Sequence, residues 1–137
     1  AAARECRTKA AEIGLSRATL ELVNVRASQI NGCAFCLDLH TRLAVKEGVT
    51  AQQLGVLPAW RETEVFSEID RAALEIAEAV TNVATDHLAD PDYARIRGQL
   101  SDDQLAVLLH AASIINAFNR ISILSQHPVT HRDAPSN

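Results

Sequence analysis

The sequence has no methionine and few aromatic residues: its 137 residues include one tryptophan, one tyrosine and three phenylalanines. The absence of methionine leads us to expect that the natural start lies upstream. Whether a short leader segment precedes residue 1 stays open. With so few aromatic side chains, the core must be built from aliphatic residues, which suit packed helices. Strand-like alternation is almost absent, whereas a period of about 3.6 residues recurs, and we therefore predict an all-α fold.

Long apolar runs and basic clusters are also missing. No run approaches the roughly 20 apolar residues that a membrane-spanning helix needs, so we expect no membrane partner. The net charge is −4 without a compensating basic cluster, which argues against nucleic acid and anionic membranes as partners. Residues 1–11 carry Arg4, Glu5, Arg7 and Lys9 and lack the apolar stretch of a signal peptide.

Cysteine is scarce, with three residues, an odd number. Secreted disulfide frameworks use more cysteines, usually in even numbers, so the count favours a reducing, cytoplasmic location. Cys6 is far from the other two in the sequence, and a lone cysteine on a helix is usually an inert, small apolar residue. The remaining pair, Cys33 and Cys36, is available for redox chemistry or for metal binding. Of these two we favour redox chemistry, and we expect an enzyme without a bound cofactor.

The periodic segments predict six to seven helices in a single domain, 1–126, followed by a flexible tail, 127–137. Capping residues, glycine and proline mark where the helices begin and end. The predicted N-terminal caps are Ser16, Thr50, Ser67, Asp90 and Ser101.

Three further expectations concern single residues. Trp60 is expected in a loop after Pro58. The helix that Ser67 begins is expected to continue its apolar stripe through Val83. His127, in the predicted tail, is expected to make no specific contact.

The reactive side chains are concentrated in the segment Cys33-Ala34-Phe35-Cys36-Leu37-Asp38-Leu39-His40. Residues three or four apart share one face of a helix, so Cys33, Cys36 and His40 are predicted to lie together. A helix that begins after Asn31-Gly32 places the pair where free backbone N–H groups favour an anion. His40 can accept the proton of Cys36, directly or through one water. We therefore expect the thiol pKa to be lowered.

A dithiol with its own base is typical of peroxide reduction. A thiolate attacks the O–O bond and becomes a sulfenic acid, and the second thiol condenses with it to a disulfide. A partner dithiol then restores the pair by exchange. Position at the helix start favours Cys33 as the attacking thiol, whereas proximity to His40 favours Cys36. We predict that Cys36 reacts with peroxide and that Cys33 is the resolving thiol.

Other interpretations of these residues stay open. Cys33, Cys36 and His40 can be three zinc ligands, with Cys6 or a distant histidine as the fourth, in a metal-stabilised or redox-sensing module. They can also be purely structural. The carboxylate that orients His40 is open between Asp38, which faces another way on the same helix, and Glu21 on the preceding helix.

The stretch from Glu21 to His40 resembles the core of the carboxymuconolactone decarboxylase family, and more narrowly its alkylhydroperoxidase D-like (AhpD-like) branch. The shared pattern is a glutamate, eleven residues, and then Cys-x-x-Cys-x-x-x-His. The likeness covers most of residues 15–125, including Trp60-Arg61-Glu62 and Asn116-Ala117-Phe118-Asn119-Arg120.

The resemblance implies an oligomeric AhpD-like helical bundle, with homotrimers or homohexamers common. It implies reduction of a small alkyl hydroperoxide, a lipoyl or thioredoxin-like protein as the dithiol reductant, and a proton relay through Glu21 and His40. The best-known relay member has a histidine between the cysteines, where this chain has Phe35, so a role for a second imidazole is lost. The decarboxylase branch lacks the cysteine pair, and its chemistry on a small cyclic acid is the alternative activity.

Overall fold

The computed structural model describes residues 1–133, and within them the regular structure consists of seven α-helices and one 3₁₀ helix, without strands. The all-α prediction and the expected number of helices are confirmed. The 3₁₀ helix, Leu57–Glu62, follows the fourth α-helix directly. The α-helices are α1 (Ala2–Glu12), α2 (Arg17–Asn31), α3 (Ala34–Lys46), α4 (Ala51–Val56), α5 (Glu68–Thr81), α6 (Asp90–Gln99) and α7 (Asp102–Leu124).

Helix α2 packs against α3, α5 and α7 and contributes to two apolar clusters. Leu20 and Val23 join residues of α5, α6 and α7, while Leu22 and Val25 pack in a second cluster that includes Trp60. Complete burial of each such aliphatic side chain contributes roughly 1.5–3 kcal/mol through removal from water. Packing on two faces therefore fixes both the position and the rotation of α2.

The predicted serine and threonine caps are confirmed. The Ser16 and Ser67 hydroxyls each accept a hydrogen bond from the backbone N–H three residues later, at 3.0 and 3.1 Å. Thr50 and Ser101 form full capping boxes, in which the glutamine side chain three residues later accepts from the cap's own backbone N–H. These bonds satisfy N–H groups that have no partner inside the helix.

Trp60 does not lie in a loop, as expected from the sequence, but is buried within the 3₁₀ helix. Pro58 fits the first turn of this helix because N–H groups there need no intrahelical acceptor. The Trp60 indole N–H donates to Glu78 Oε2 at 3.1 Å, and the Arg61 guanidinium lies 4.2 Å from the indole ring centroid. The sequence predicted that the helical turn ends at Pro58, and these tertiary contacts instead extend helical structure to Glu62.

Two expected helix boundaries were also wrong. Helix α5 ends at Thr81, and Val83 lies beyond it and is 57% exposed, because the backbone turns at Asn82, whose carbonyl accepts from the N–H groups that follow. Asp90 is the first residue of α6 and not its cap, since Ala89 holds that position.

Helix α7 is, among the described residues, long and apolar enough to cross a membrane by length and composition. Its inner face nevertheless packs in the core through residues such as Leu108 and Ala112. Two buried asparagines on this face hydrogen-bond to other helices: Asn116 Nδ2 to Thr81 Oγ1 and Asn119 Nδ2 to Ser28 Oγ, both at 3.0 Å. Burial and these polar partners account for α7 as the core helix of a helical bundle.

The chain turns back after α7. Gln126 has a left-handed backbone (φ +57°), and the His127 N–H donates to the Ser122 carbonyl at 2.9 Å. This geometry closes the helix end and directs the following residues toward α3. The His127 ring stacks on Phe35, with ring centroids 3.5 Å apart, which differs from the expectation that His127 makes no specific contact. Residues 134–137 of the predicted tail lie outside the described residues.

Candidate active site

The turn between α2 and α3 positions both thiols. Gly32 adopts a left-handed conformation (φ +70°) that suits glycine, and its N–H donates to the Ser28 carbonyl at the end of α2. Cys33 is the N-terminal cap of α3, and its Sγ accepts from the Cys36 N–H at 3.4 Å. The predicted helix start therefore holds, and both cysteines lie in its first turn.

The two thiols have different surroundings, although both are reduced and buried. Cys33 is 1% exposed and Cys36 is 3% exposed. Cys36 lies on the wall of a cavity of about 580 Å³, whereas Cys33 is not among the cavity's lining residues. A small molecule in this cavity would therefore meet Cys36 first.

The cavity is lined by both polar and apolar side chains. The polar lining residues include Cys36, His40, Glu21, Asn24, Ser122, Arg7 and Arg17. Leucine, isoleucine and phenylalanine side chains from α2, α3 and α7 make most of the remaining wall. A volume of this size lies within the range of about 300–1,000 Å³ that is usual for small-molecule sites.

Glu21 orients His40 across the interface of α2 and α3. His40 Nδ1 lies 2.7 Å from Glu21 Oε2, and Glu21 is only 1% exposed. Arg17 Nε donates to Glu21 Oε1 at 3.2 Å, and Asn24 Nδ2 donates to Oε2 at 3.3 Å. Burial on its own raises the pKa of Glu21, but the hydrogen bonds from these partners and the charge of His40 lower it overall. Glu21 is therefore held as a carboxylate.

The alternative carboxylate, Asp38, lies away from His40. Its oxygens pair with Arg132, which donates from Nη1 at 2.9 Å, and with Arg42 on the next turn of α3. The hydrogen bond from Arg132 is the main reason that the pKa of Asp38 falls to about 2. The choice that the sequence left open is decided by the fold, because α2 packs alongside α3 and brings Glu21 to the imidazole.

The pKa of the Cys36 thiol is raised, contrary to the expected lowering. Burial is the main cause, and its interaction with Cys33 adds to the effect, while hydrogen bonds from Asn119 and Ser122 oppose it. The position at a helix start does not outweigh the loss of water around this sulfur. Among residues 1–133, Cys36 Sγ and His40 are not directly hydrogen-bonded, although both face the same cavity.

A polar network joins α2 and α7 near the thiols, and it includes Asn119, for which the sequence left open a role in the site or in tying helices together. Asn31 Nδ2 donates to Asn116 Oδ1 and to Asn119 Oδ1, each at 2.9 Å. Asn119 in turn donates to Ser28 Oγ. This network ties the end of α2 to α7, so the turn that carries Cys33 is fixed from two sides. An asparagine on an otherwise apolar helix was the sequence signal that indicated it.

His127 and Ser122 are further cavity residues that sequence reasoning missed. Both lie near the C-terminal end of α7, far from the cysteine motif in the sequence. Ser122 reaches the site because α7 packs against α3, and His127 reaches it because the chain reverses at Gln126. No local spacing pattern links them to Cys36, so only the folded chain brings them together.

The zinc interpretation lacks a ligand set in the part of the chain that the structure describes. Within residues 1–133, no three side chains of histidine, cysteine, aspartate or glutamate converge in a group that could hold a metal ion. Cys33 uses its sulfur to cap α3, and His40 Nδ1 is taken by Glu21. Cys6 lies on the cavity wall, with its Sγ 4.0 Å from the Val107 carbonyl oxygen.

Comparison with known proteins agrees with this fold and motif. The family model described as carboxymuconolactone decarboxylase family matches residues 1–79. The uncharacterized protein YdfG of Bacillus subtilis is 41% identical over 109 residues, which cover 80% of this chain and 74% of that protein. The alkyl hydroperoxide reductase AhpD of Corynebacterium aurimucosum is 37% identical over 71 residues, covering 51% of this chain and 37% of that enzyme.

A solved structure from Agrobacterium tumefaciens shares the fold with a TM-score of 0.80 and 34% identity, covering 94% of this chain and 90% of that one. Its description is a protein of unknown function, for which the antioxidant defence protein AhpD is suggested as the identity. The family match spans more than half of the 137 residues. The chain therefore belongs to the carboxymuconolactone decarboxylase family, in its AhpD-like branch, and carries that branch's cysteine pair at Cys33 and Cys36.

Proposed function

We propose that this protein is a cysteine-dependent hydroperoxide reductase that uses no bound cofactor. The observation that carries the proposal is the joint position of Cys36 and the His40–Glu21 pair on one cavity wall. The AhpD assignments of the relatives from Corynebacterium and Agrobacterium support the same class of activity. The proposed catalytic residues are Cys36, Cys33, His40 and Glu21.

In the first proposed step, His40 removes the proton from Cys36. A glutamate carboxylate can only accept hydrogen bonds, so the 2.7 Å contact to Glu21 Oε2 assigns the ring proton to Nδ1. In the neutral form of His40, Nε2 is then the unprotonated nitrogen and is able to accept the thiol proton. Burial raises the pKa of Cys36, so a base that acts as the thiol reacts is more important here than a preformed thiolate.

The next steps oxidise the cysteine pair and reduce the peroxide. The Cys36 sulfur attacks one peroxide oxygen, the O–O bond breaks, and the leaving oxygen takes a proton, giving Cys36 sulfenic acid and an alcohol. The Cys33 thiol then attacks the Cys36 sulfur and expels water, leaving a disulfide. Because the Cys33 sulfur already lies 3.4 Å from the Cys36 backbone nitrogen, the bond forms within one helical turn.

A dithiol supplies the two electrons and two protons that return the disulfide to thiols. We propose a lipoyl or thioredoxin-like protein as this reductant, and the burial of both sulfurs favours a slender dithiol that enters through the cavity. We also propose a cytoplasmic homotrimer or homohexamer, which the exposed apolar residues Phe118, Ile121 and Leu124 on α7 would suit. Nucleic acid and membranes are not among the proposed partners.

The decisive test is peroxidase turnover of cumene hydroperoxide with dihydrolipoamide by wild type and the Cys36→Ser variant. We expect the variant to lose turnover completely, because a hydroxyl cannot form a sulfenic acid or a disulfide. Mass spectrometry after one equivalent of peroxide should show a Cys33–Cys36 disulfide in wild type and a Cys36 sulfenic acid in Cys33→Ser. Cys6→Ser is the matched control for the loss of a thiol, and it should keep the Cys33–Cys36 disulfide. Retained turnover in Cys36→Ser would remove Cys36 from the reaction.

The alternative is the chemistry after which the family is named, on a small cyclic acid. It predicts that turnover of a muconolactone-type substrate survives in the Cys33→Ser/Cys36→Ser double variant, since the thiols would be incidental. Lactone turnover by the double variant, together with no peroxide turnover by wild type, would replace the proposed function with this one.

A further inference from the structure

The cavity at Cys36 has a cationic side that the proposed reaction does not use. Arg7 of α1 and Arg17 of α2 both line it. Arg17 Nε is bonded to Glu21. Arg7 is half-buried, and among residues 1–133 no carboxylate lies within ion-pair distance of its guanidinium. With one glutamate against two arginines, the fixed charge of the lining is +1.

Arg7 differs in its partners from the other half-buried arginines among the described residues. Arg17 and Arg26 pair with Glu21 and Glu78, and Arg71 donates to the backbone carbonyls of Trp60 and Thr63. A guanidinium offers five N–H donors in a planar fork that matches a carboxylate or a phosphate. Arg7 therefore has the chemistry to bind an anion that enters from solution.

The other lining residues do not match a small hydrophilic anion as the whole ligand. Leu20, Leu43, Ile114 and Phe118 line the same cavity as Arg7, and its volume of about 580 Å³ is far larger than such an anion would fill. A ligand that matches both kinds of lining residue needs an apolar body and one anionic group. Because Cys36 lines the same cavity, a peroxide group on that apolar body shares the space with the sulfur.

We propose that the substrate is an anionic amphiphilic hydroperoxide, such as a fatty-acid hydroperoxide, whose carboxylate binds Arg7 while its chain occupies the apolar cavity. The inference rests on the proposed function and narrows its substrate class. Arg7 is a specificity residue in this scheme, since it touches the head group and not the reacting oxygen atoms. Arg17 adds positive charge at the same cavity and remains bonded to Glu21.

The test compares linoleic acid hydroperoxide with its methyl ester, which removes the charge and keeps the chain. Wild type should have the higher kcat/KM for the acid, and Arg7→Gln should lower the acid-to-ester ratio by about tenfold, as expected for loss of one charge-assisted hydrogen bond. Arg7→Lys should restore part of the ratio. Arg4→Gln is the matched control, because Arg4 lies one turn earlier on α1, is exposed and does not line the cavity. An unchanged ratio in Arg7→Gln, or an equal loss in Arg4→Gln, would overturn the inference.

Calorimetric binding of decanoate and methyl decanoate to the reduced protein separates this inference from the proposed function. Binding of decanoate that weakens about tenfold in Arg7→Gln, with no such change for the ester, supports the anionic site even if wild type fails to reduce cumene hydroperoxide. Turnover of cumene hydroperoxide without discrimination between acid and ester, in rate or in binding, supports the proposed function and overturns the inference.

Discussion

Glu21 and Glu78 are two largely buried glutamates that receive three hydrogen-bonding partners each, yet their partners differ in kind. Glu78 is bonded by Arg26, Arg61 and the Trp60 indole. Burial raises its pKa, and these hydrogen bonds, from Arg61 above all, lower it overall. Glu21 has a lowered pKa as well, but one of its partners is the imidazole of His40.

The difference between these two regions is a difference in what their partners can do. Arginine stays charged and the indole does not titrate, so the shell around Glu78 keeps one protonation state at every physiological pH. Histidine exchanges its proton in that range, and His40 also faces a cavity beside a thiol. A lowered carboxylate pKa is therefore common to both regions. The titratable partner on a cavity wall distinguishes Glu21, a candidate member of a proton relay, from Glu78, which stabilises the fold.

The largest expected effect is on turnover. Glu21→Gln should lower kcat/KM for cumene hydroperoxide by about 100-fold, because an amide no longer fixes the His40 ring proton on Nδ1 or stabilises a charged imidazole. Glu78→Gln is the matched change in the other region and should alter kcat/KM by less than about threefold, since Glu78 is not on the Cys36 cavity wall. Steady-state kinetics with both variants checks this. Equal losses of kcat/KM in the two variants would mean that Glu21, like Glu78, acts only by stabilising the fold.

The second effect is on stability. Glu78→Gln should lower the free energy of unfolding by about 2 kcal/mol, because two arginine side chains lose charge-assisted hydrogen bonds. The folded-state pKa of Glu78 is depressed. Its stabilisation is therefore complete above the ordinary glutamate pKa of about 4.3, and it is lost as pH falls from there through the folded-state value.

Urea unfolding of wild type and Glu78→Gln between neutral pH and about pH 3 measures both parts of this expectation. The difference in unfolding free energy between the two proteins should be largest at neutral pH and should shrink in acid. A difference that stays constant over the whole range would show that the carboxylate charge is not what stabilises this region.

The smallest expected effect concerns the part of the cavity wall that His127 and Phe35 form. His127→Ala removes the stack on Phe35 and should cost about 0.5 kcal/mol of unfolding free energy, the low end for an aromatic pair, because His127 is exposed. Thermal unfolding compares it with His131→Ala, whose ring is more than 90% exposed and whose loss should not change the Tm. Equal Tm values for all three proteins would show that this wall contributes nothing to the fold.

Much of the helical plan could be read from short-range patterns. Ser16 and the Thr50 and Ser101 capping boxes were identified correctly because a cap and its partner lie three residues apart. The end of α5 was misjudged because the apolar stripe did not reveal the local turn at Asn82. Trp60 was misjudged because its deciding contact comes from a residue distant in the sequence, Glu78, which accepts from the indole. Local spacing contains no information about such contacts.

The candidate site likewise has features that local spacing predicted and features that only the fold decided. The spacing predicted that Cys33, Cys36 and His40 lie together on one helix face. In the structure Cys33 is the cap of α3, and only Cys36 and His40, one turn apart within the helix, line the cavity. The direction of the Cys36 pKa was predicted wrongly, since burial depends on how α7 covers the sulfur and not on the motif.

The sequence alone determined that the chain is helical, where most helices begin, and that both thiols lie at the start of the helix that carries the imidazole, because these properties depend on neighbours within about one helical turn. The tertiary structure decided that Glu21 rather than Asp38 meets His40, that Cys36 rather than Cys33 faces the cavity, and that Arg7 and His127 line the same space. These outcomes depend on how separate helices pack, and helix packing is fixed by the whole core rather than by any one segment.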